Sequence, residues 1–66
     1  MEIILNGEIL SLPDQSTVQD LVDQLKLKQQ RLAVEVNLEI ISRSRYPEHR
    51  LQAGDKVEIV HAIGGG

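Results

Sequence analysis

The sequence predicts one small α+β domain in which a single helix covers one face of a β-sheet. Short runs of aliphatic residues, some alternating with polar ones, lie near both ends of the chain and predict strands. Between them, aliphatic residues recur at helical spacing, and turn-forming residues separate the segments. The chain has 66 residues and no cysteine, so we expect aliphatic packing to stabilise it without disulfides. The formal net charge of −3 argues against a nucleic-acid-binding surface.

The first two strands are predicted to form a hairpin. The segment from Glu2 to Leu5 has three consecutive aliphatic residues without polar alternation, which favours a strand covered on both faces. Asn6-Gly7 favours a type I′ turn, because both residues accept positive φ. The return strand is predicted from Glu8 to Leu12, with Leu10 and Leu12 on its inward face.

An amphipathic helix follows the hairpin. Ser16 with Gln19 fits the capping-box pattern, and Thr17 is an equally acceptable N-cap. The aliphatic residues after the cap have the spacing of one helical stripe: Val18, Leu21, Val22 and Leu25. We expect the helix to fade between Lys26 and Lys28 and to lead into a connection at Gln29-Gln30.

The next segments are a strand, a turn, a short strand and a polar loop. Leu32 to Val36 alternates with period two, which predicts a half-buried strand. A turn at Asn37-Leu38 leads to a short strand from Glu39 to Ser42. The polar stretch from Arg43 to Arg50 predicts a single 3₁₀ turn, with the ring of Tyr46 at the edge of the core.

The last strand is predicted from Lys56 to Ala62, after a turn at Gly54-Asp55 in which the glycine adopts positive φ. It and the first strand are the most aliphatic, so we expect them to lie side by side and parallel at the centre of the sheet. The chain is thereby divided into a domain at residues 1–62 and a flexible glycine tail at residues 63–66.

We expect the tail, Ile63-Gly64-Gly65-Gly66, to end in a free α-carboxylate that is the functional group. Glycine has no Cβ and loses the most entropy when it is ordered, so a glycine run makes a thin, mobile thread. Four extended residues reach about 13–14 Å at roughly 3.3–3.6 Å each, which is enough to enter a partner's cleft. Many glycine-rich termini are frayed ends without function, so composition alone leaves both interpretations open.

Composition also limits the chemistry. There is no thiol, the two histidines lie far apart, and the terminal glycines lack the lysine and the following helix of a phosphate-binding loop. We therefore expect no bound cofactor and no metal, and the terminal carboxylate is the candidate functional group. The longest purely aliphatic run is Ile3-Ile4-Leu5, so we expect no membrane span, no export signal and a cytoplasmic protein.

Taken in order, these segments resemble the ThiS family, the sulfur carrier proteins of thiamin biosynthesis. The resemblance covers essentially the whole chain and rests on the Asn6-Gly7 hairpin, Thr17-Val18, Leu32 to Val36 with Asn37, Ile40-Ile41, Gly54-Asp55 and the terminal Gly65-Gly66. It implies a β-grasp, ubiquitin-like fold, with a mixed sheet of four to five strands and one main helix packed on one face.

The resemblance further implies that Gly66 is the modified residue. In the family, a ThiF-like enzyme adenylates the terminal carboxylate with ATP, and sulfur relayed from cysteine by a desulfurase converts the adenylate to a thiocarboxylate. A ThiG-like thiazole synthase then takes the sulfur into the thiazole ring. Accordingly, Ile63, Gly64 and Gly65 would enter the partners' active sites. The chain would be a carrier, not an enzyme, with ATP bound by the partner, and a monomer when free.

On the face opposite the helix, we expect Ile4, Ile9 and Val60 to form an exposed aliphatic patch that docks to these partners. The alternative for these three residues is ordinary scattered surface apolarity. Two further functions share the fold and the tail and stay open: a MoaD-like sulfur carrier for molybdopterin synthesis, and a ubiquitin-like protein modifier.

Overall fold

The computed structural model describes residues 1–27 and 31–61. Its elements are β1 (Glu2–Leu5), β2 (Glu8–Ser11), α1 (Val18–Gln24), β3 (Leu32–Val36), β4 (Glu39–Ile41), a 3₁₀ turn (Arg43–Arg45) and β5 (Lys56–His61). The strands form one five-stranded sheet in the order β2-β1-β5-β3-β4. β1 and β5 are parallel and the other neighbours are antiparallel. The predicted mixed sheet with one helix is confirmed, and β5 is its central strand.

The β1–β2 hairpin turns at Asn6 and Gly7, whose φ angles are 49° and 85°. Positive φ at both central residues is the mark of the predicted type I′ turn, and Ile4 then lies opposite Ile9 across the hairpin. β2 ends at Ser11, one residue earlier than predicted.

Helix α1 is capped by Thr17. The backbone N–H of Asp20 donates to the Thr17 hydroxyl oxygen at 3.1 Å, and the N–H of Thr17 donates to the Asp20 carboxylate at 2.9 Å. This reciprocal capping box satisfies two N–H groups that have no partner within the helix. The predicted box between Ser16 and Gln19 is wrong, because the Ser16 hydroxyl donates instead to the carbonyl oxygen of Pro13 at 2.7 Å.

The helix also ends earlier than predicted. Its last residue is Gln24, and Lys26 already has a φ of 61°, a left-handed conformation that cannot continue an α-helix. The predicted connection at Gln29-Gln30 lies outside the described residues. Within the described residues, no helix is both long and apolar enough to cross a membrane.

The hydrophobic core lies between α1 and one face of the sheet. Its buried side chains are Ile3, Leu12, Val18, Leu21, Val22, Val34, Val36, Ile41, Tyr46, Leu51, Val57 and Ile59. Tyr46 is only 4% exposed, so its ring belongs to the core and not to the edge that the sequence predicts. The other face of the sheet carries the exposed side chains of Ile9, Ile40 and Val60, and Ile4 on the same face is half-buried. The prediction that β1 is covered on both faces is therefore wrong.

Two turns fix the start of β5. Gly54 has a φ of 86°, as predicted for the turn before the last strand. In the β3–β4 turn, the Asn37 side chain accepts a hydrogen bond from the N–H of Lys56 at 3.0 Å and donates to the Asp55 carboxylate at 3.0 Å. The next residue, Leu38, has a φ of 71° and a side chain that is 86% exposed. An exposed leucine thus occupies a backbone conformation that glycine prefers.

Candidate functional site: the root of the C-terminal segment

The central strand β5 brings the chain to His61, the last described residue. Val57 and Ile59 are buried, and β5 pairs with β3 at five positions, from Val36 opposite Val57 to Leu32 opposite His61. β1 pairs with the first part of β5 on the other side. The strand that leads into the C-terminal segment is therefore held in the sheet as far as His61.

The side chain of Asn6 extends this hold where β1 turns away. Its amide oxygen accepts a hydrogen bond from the N–H of Ile59 at 2.9 Å, and its amide nitrogen donates to the Ile59 carbonyl oxygen at 3.3 Å. The backbone N–H of Asn6 also donates to the carbonyl oxygen of Val57 at 2.9 Å. Asn6 thus replaces one step of a β-ladder with its side chain, and we call this contact the Asn6 clasp.

Sequence reasoning assigned Asn6 to the turn and missed the clasp. The clasp joins residues that are 53 positions apart, so no local pattern in the sequence signals it. One clue is chemical: an asparagine at the first turn position carries both a donor and an acceptor, which glycine at the same position lacks.

The residues predicted to carry the chemistry, Gly66 and the preceding Ile63, Gly64 and Gly65, lie outside the described residues. Their assignment remains a prediction, as does the domain boundary at residue 62. The structure describes the sheet up to His61, two residues before Ile63.

The predicted docking residues all lie on the face of the sheet opposite α1. Ile4 and Ile9 are cross-strand neighbours, and Ile9 is 72% exposed. Val60 is 57% exposed but lies further along β5, four residues from Lys56, the residue opposite Ile4. Because side chains alternate along a strand, Lys56 and Glu58 share this face with Val60. The three aliphatic residues therefore form two separate apolar areas, Ile4 with Ile9 and Val60 alone, and charged side chains lie between the two areas.

The open face has two further features that sequence reasoning missed. Ile40 on β4 is 72% exposed and lies opposite Glu35, which in turn lies opposite Glu58 on β5. Two carboxylates directly across from one another in a sheet repel, which destabilises the pairing. Glu35 and Glu58 thus face one another on this side of the sheet, with the exposed aliphatic side chains on the strands to either side or further along β5.

A cleft of about 240 Å³ opens at the end of the sheet where β5 ends, because β3 begins there opposite His61. Its lining comes from α1, the start of β3 and the 3₁₀ turn: Gln19, Val22, Arg31, Leu32, Arg43 and Tyr46. A second cavity, of about 380 Å³, lies beside Ile4 and Ile9. Among residues 1–27 and 31–61, no group of three or more His, Asp or Glu side chains is placed to hold a metal ion.

A family model described as the ThiS family matches residues 2–66.

The chain belongs to the ThiS family.

Its relatives within the ThiS family include small proteins of the same length. The chain is 43% identical to the sulfur carrier protein ThiS of Bacillus subtilis, over 94% of this chain and 96% of the relative. It is 30% identical to the sulfur carrier protein ThiS of Escherichia coli over the full length of both.

Other relatives are much longer. The whole chain is 41% identical to part of a thiazole synthase from Paramagnetospirillum magneticum, of which it spans only 20%. Among solved structures, the crystal structure of the thiamine biosynthesis protein ThiS from Geobacter metallireducens matches with a TM-score of 0.85 and 29% identity, over the whole of both chains. This similarity to a ThiS structure confirms the predicted β-grasp fold.

Proposed function

We propose that this chain is a sulfur carrier protein of thiamin biosynthesis and that it carries sulfur as a thiocarboxylate on Gly66. The observation that carries the proposal is the full-length similarity to two sulfur carrier proteins named ThiS, one of them 43% identical. The end of β5 supports it, because the sheet and the Asn6 clasp hold the chain firmly just before the glycines.

The proposed chemistry begins with activation, because a carboxylate is a poor electrophile at neutral pH. An oxygen of the Gly66 carboxylate attacks the α-phosphorus of ATP, pyrophosphate leaves, and a mixed anhydride with AMP is formed. The terminal sulfur of a persulfide on the relay then attacks the acyl carbon, and AMP leaves with the electron pair of the broken C–O bond. A thiol next attacks the remaining S–S bond, which frees the thiocarboxylate and leaves a disulfide. Glycine at positions 65 and 66 leaves the backbone unobstructed in a narrow active site.

The proposal divides the chemistry between this chain and its partners. ATP binds to a ThiF-like adenylating enzyme, a cysteine desulfurase or sulfur relay supplies the sulfur, and a ThiG-like thiazole synthase accepts it. The long thiazole synthase relatives support the last partner, since they contain a segment similar to this whole chain in the same polypeptide. In this scheme the chain acts as a co-substrate of enzymes and not as an enzyme itself.

The open face of the sheet is the proposed docking surface for these partners. Ile9 and Val60 offer exposed aliphatic area there, and Ile4 supports Ile9 from the neighbouring strand. Val60 lies next to His61, so a partner bound at Val60 is close to the point where the C-terminal segment begins. Ile63 is proposed as an anchor at the base of that segment.

Adenylation by the ThiF-like enzyme of the same organism tests the proposal. With the chain present, the enzyme should exchange radiolabelled pyrophosphate into ATP, because adenylation is reversible. A variant that lacks Gly65 and Gly66 is the matched control and should show no exchange. Exchange that is equal for the two proteins, or absent with an enzyme that adenylates a known ThiS protein, would contradict the proposal.

The thiazole branch is preferred to the molybdopterin branch and to protein modification, because the relatives named above are ThiS proteins or thiazole synthases. Co-purification separates the thiazole and molybdopterin alternatives: a stable complex with the large subunit of a molybdopterin synthase, and none with thiazole synthase, would favour the molybdopterin branch.

A further inference from the structure

The backbone of β5 offers its hydrogen-bonding groups alternately to β1 and to β3. The carbonyl oxygen of Val57 and the N–H of Ile59 both bond to Asn6, on the β1 side. Val60, between Ile59 and His61, lies opposite Ala33 of β3. This alternation places the N–H and the carbonyl oxygen of His61 on the β1 side of the strand.

On that side, however, the sheet has already ended. β1 pairs with β5 only at Ile4 opposite Lys56 and Leu5 opposite Val57, and the Asn6 clasp takes the next step at Ile59. Among residues 1–27 and 31–61, no strand lies beyond the clasp beside His61. We call this open position, next to His61 and beyond the Asn6 side chain, the β5 slot.

We propose that the β5 slot receives an extended backbone segment of the adenylating partner, which adds a strand to β5 at His61 and continues the sheet. This inference rests on the proposed function. Strand addition at an open sheet edge is a recurrent way to bind a peptide, in which main-chain hydrogen bonds supply affinity. The slot would take a strand at the usual spacing of about 4.8 Å from β5.

The partner is the expected occupant because the slot adjoins the segment that it must receive. His61 is five residues before Gly66, so a partner strand paired at His61 is close in sequence to the residue that the partner must adenylate. A second copy of this chain is the alternative occupant, with an edge strand in the slot, and pairing between copies would overturn the proposal.

The Asn6 clasp gives the added strand a defined register. The Asn6 amide occupies both the N–H and the carbonyl oxygen of Ile59. An incoming strand can therefore pair with β5 only from His61 onwards and not at Ile59. Gly66 is five residues beyond His61, so the two can be at most about 16–18 Å apart at roughly 3.3–3.6 Å per residue. A slip of two residues would move the carboxylate by about 7 Å. The clasp and the slot together would set how deeply Gly66 enters the partner.

The first test compares two substitutions at His61 by the kcat/KM of adenylation. His61→Pro removes the N–H that the slot offers, whereas His61→Ala removes the side chain and keeps the N–H. Proline is tolerated in a strand where its missing N–H would face away from the ladder, as it does here with respect to β3. We expect kcat/KM to be about tenfold lower for His61→Pro than for His61→Ala, the effect of one lost hydrogen bond. Equal values for two folded variants would overturn the proposal.

The second test needs no substitution. Amide hydrogen exchange at His61 should be fast in the free chain and at least about tenfold slower with saturating ThiF-like enzyme, while Ile59 stays protected in both states. Unchanged fast exchange at His61 in the complex would overturn the proposal. So would protection that rises with the concentration of the chain alone, since that result would show pairing between copies. A complex without any adenylation would instead count against the proposed function, and His61 exchange would still decide the strand addition.

Discussion

Replacing Asn6 with glycine removes the clasp and leaves the turn intact. Glycine adopts the φ of 49° at this position without a steric cost, so the type I′ turn can still form. The two hydrogen bonds to Ile59, at 2.9 and 3.3 Å, disappear. The variant therefore isolates the clasp from the turn in which it sits.

The magnitude follows from the burial of the groups that lose their partner. Ile59 is buried, at 6% exposure, so water reaches its backbone poorly. An unsatisfied buried N–H or C=O costs about 1–3 kcal/mol, and we expect Asn6→Gly to lower the free energy of unfolding by about that amount. For a domain of this size, each kcal/mol lowers Tm by roughly 4–8 °C. Asn6→Ala should cost about 1 kcal/mol more, because alanine resists positive φ.

Urea unfolding of the three proteins, together with amide exchange at Ile59, measures this effect. We expect faster exchange at Ile59 in both variants and the stability order Asn6, then glycine, then alanine. If Asn6→Gly unfolds at the same urea concentration as the parent chain and Ile59 stays equally protected, the clasp does not hold the end of β5. The end of β5 would then not be firmly held before the C-terminal segment.

Three further substitutions test other features of the structure. Leu38→Gly should raise the free energy of unfolding by about 0.5–1 kcal/mol, because glycine accepts the φ of 71° at this exposed position; lower stability in urea would contradict this. Glu58→Gln should raise the free energy of unfolding by about 0.2–1 kcal/mol at low salt, because it relieves repulsion with Glu35, and this increase should shrink as salt is added. An increase that does not depend on salt would exclude repulsion as its cause. Ile9→Asp should leave Tm nearly unchanged and weaken binding to the ThiF-like enzyme in calorimetry, and unchanged affinity would remove Ile9 from the docking surface.

Features with a local cause could be predicted from the sequence. The Asn6-Gly7 turn, the helical stripe that contains Val18 and Leu21, and the inward position of Val57 all follow from turn chemistry or periodicity within a few residues. The parallel pairing of the first and last strands also followed, because one helix must cover a sheet whose most aliphatic strands lie at its centre.

Features that depend on distant or competing partners could not be predicted. Ser16 and Thr17 fit an N-cap equally well, and the choice was decided by the Pro13 carbonyl, which takes the Ser16 hydroxyl. The clasp between Asn6 and Ile59 requires the fold before the two residues meet. The same distinction applies to the candidate site. The hydrogen bonds that hold the end of β5 are visible in the structure, whereas the role of Gly66 rests on family membership.

The mass of the chain after reaction tests the central claim most directly. The chain is incubated with the ThiF-like enzyme, ATP, cysteine and a cysteine desulfurase, and its intact mass is then measured with fragmentation to locate the change. We predict a gain of about 16 mass units, from oxygen replaced by sulfur, confined to Gly66. No gain under conditions that convert a known ThiS protein, or a gain located elsewhere in the chain, would contradict it.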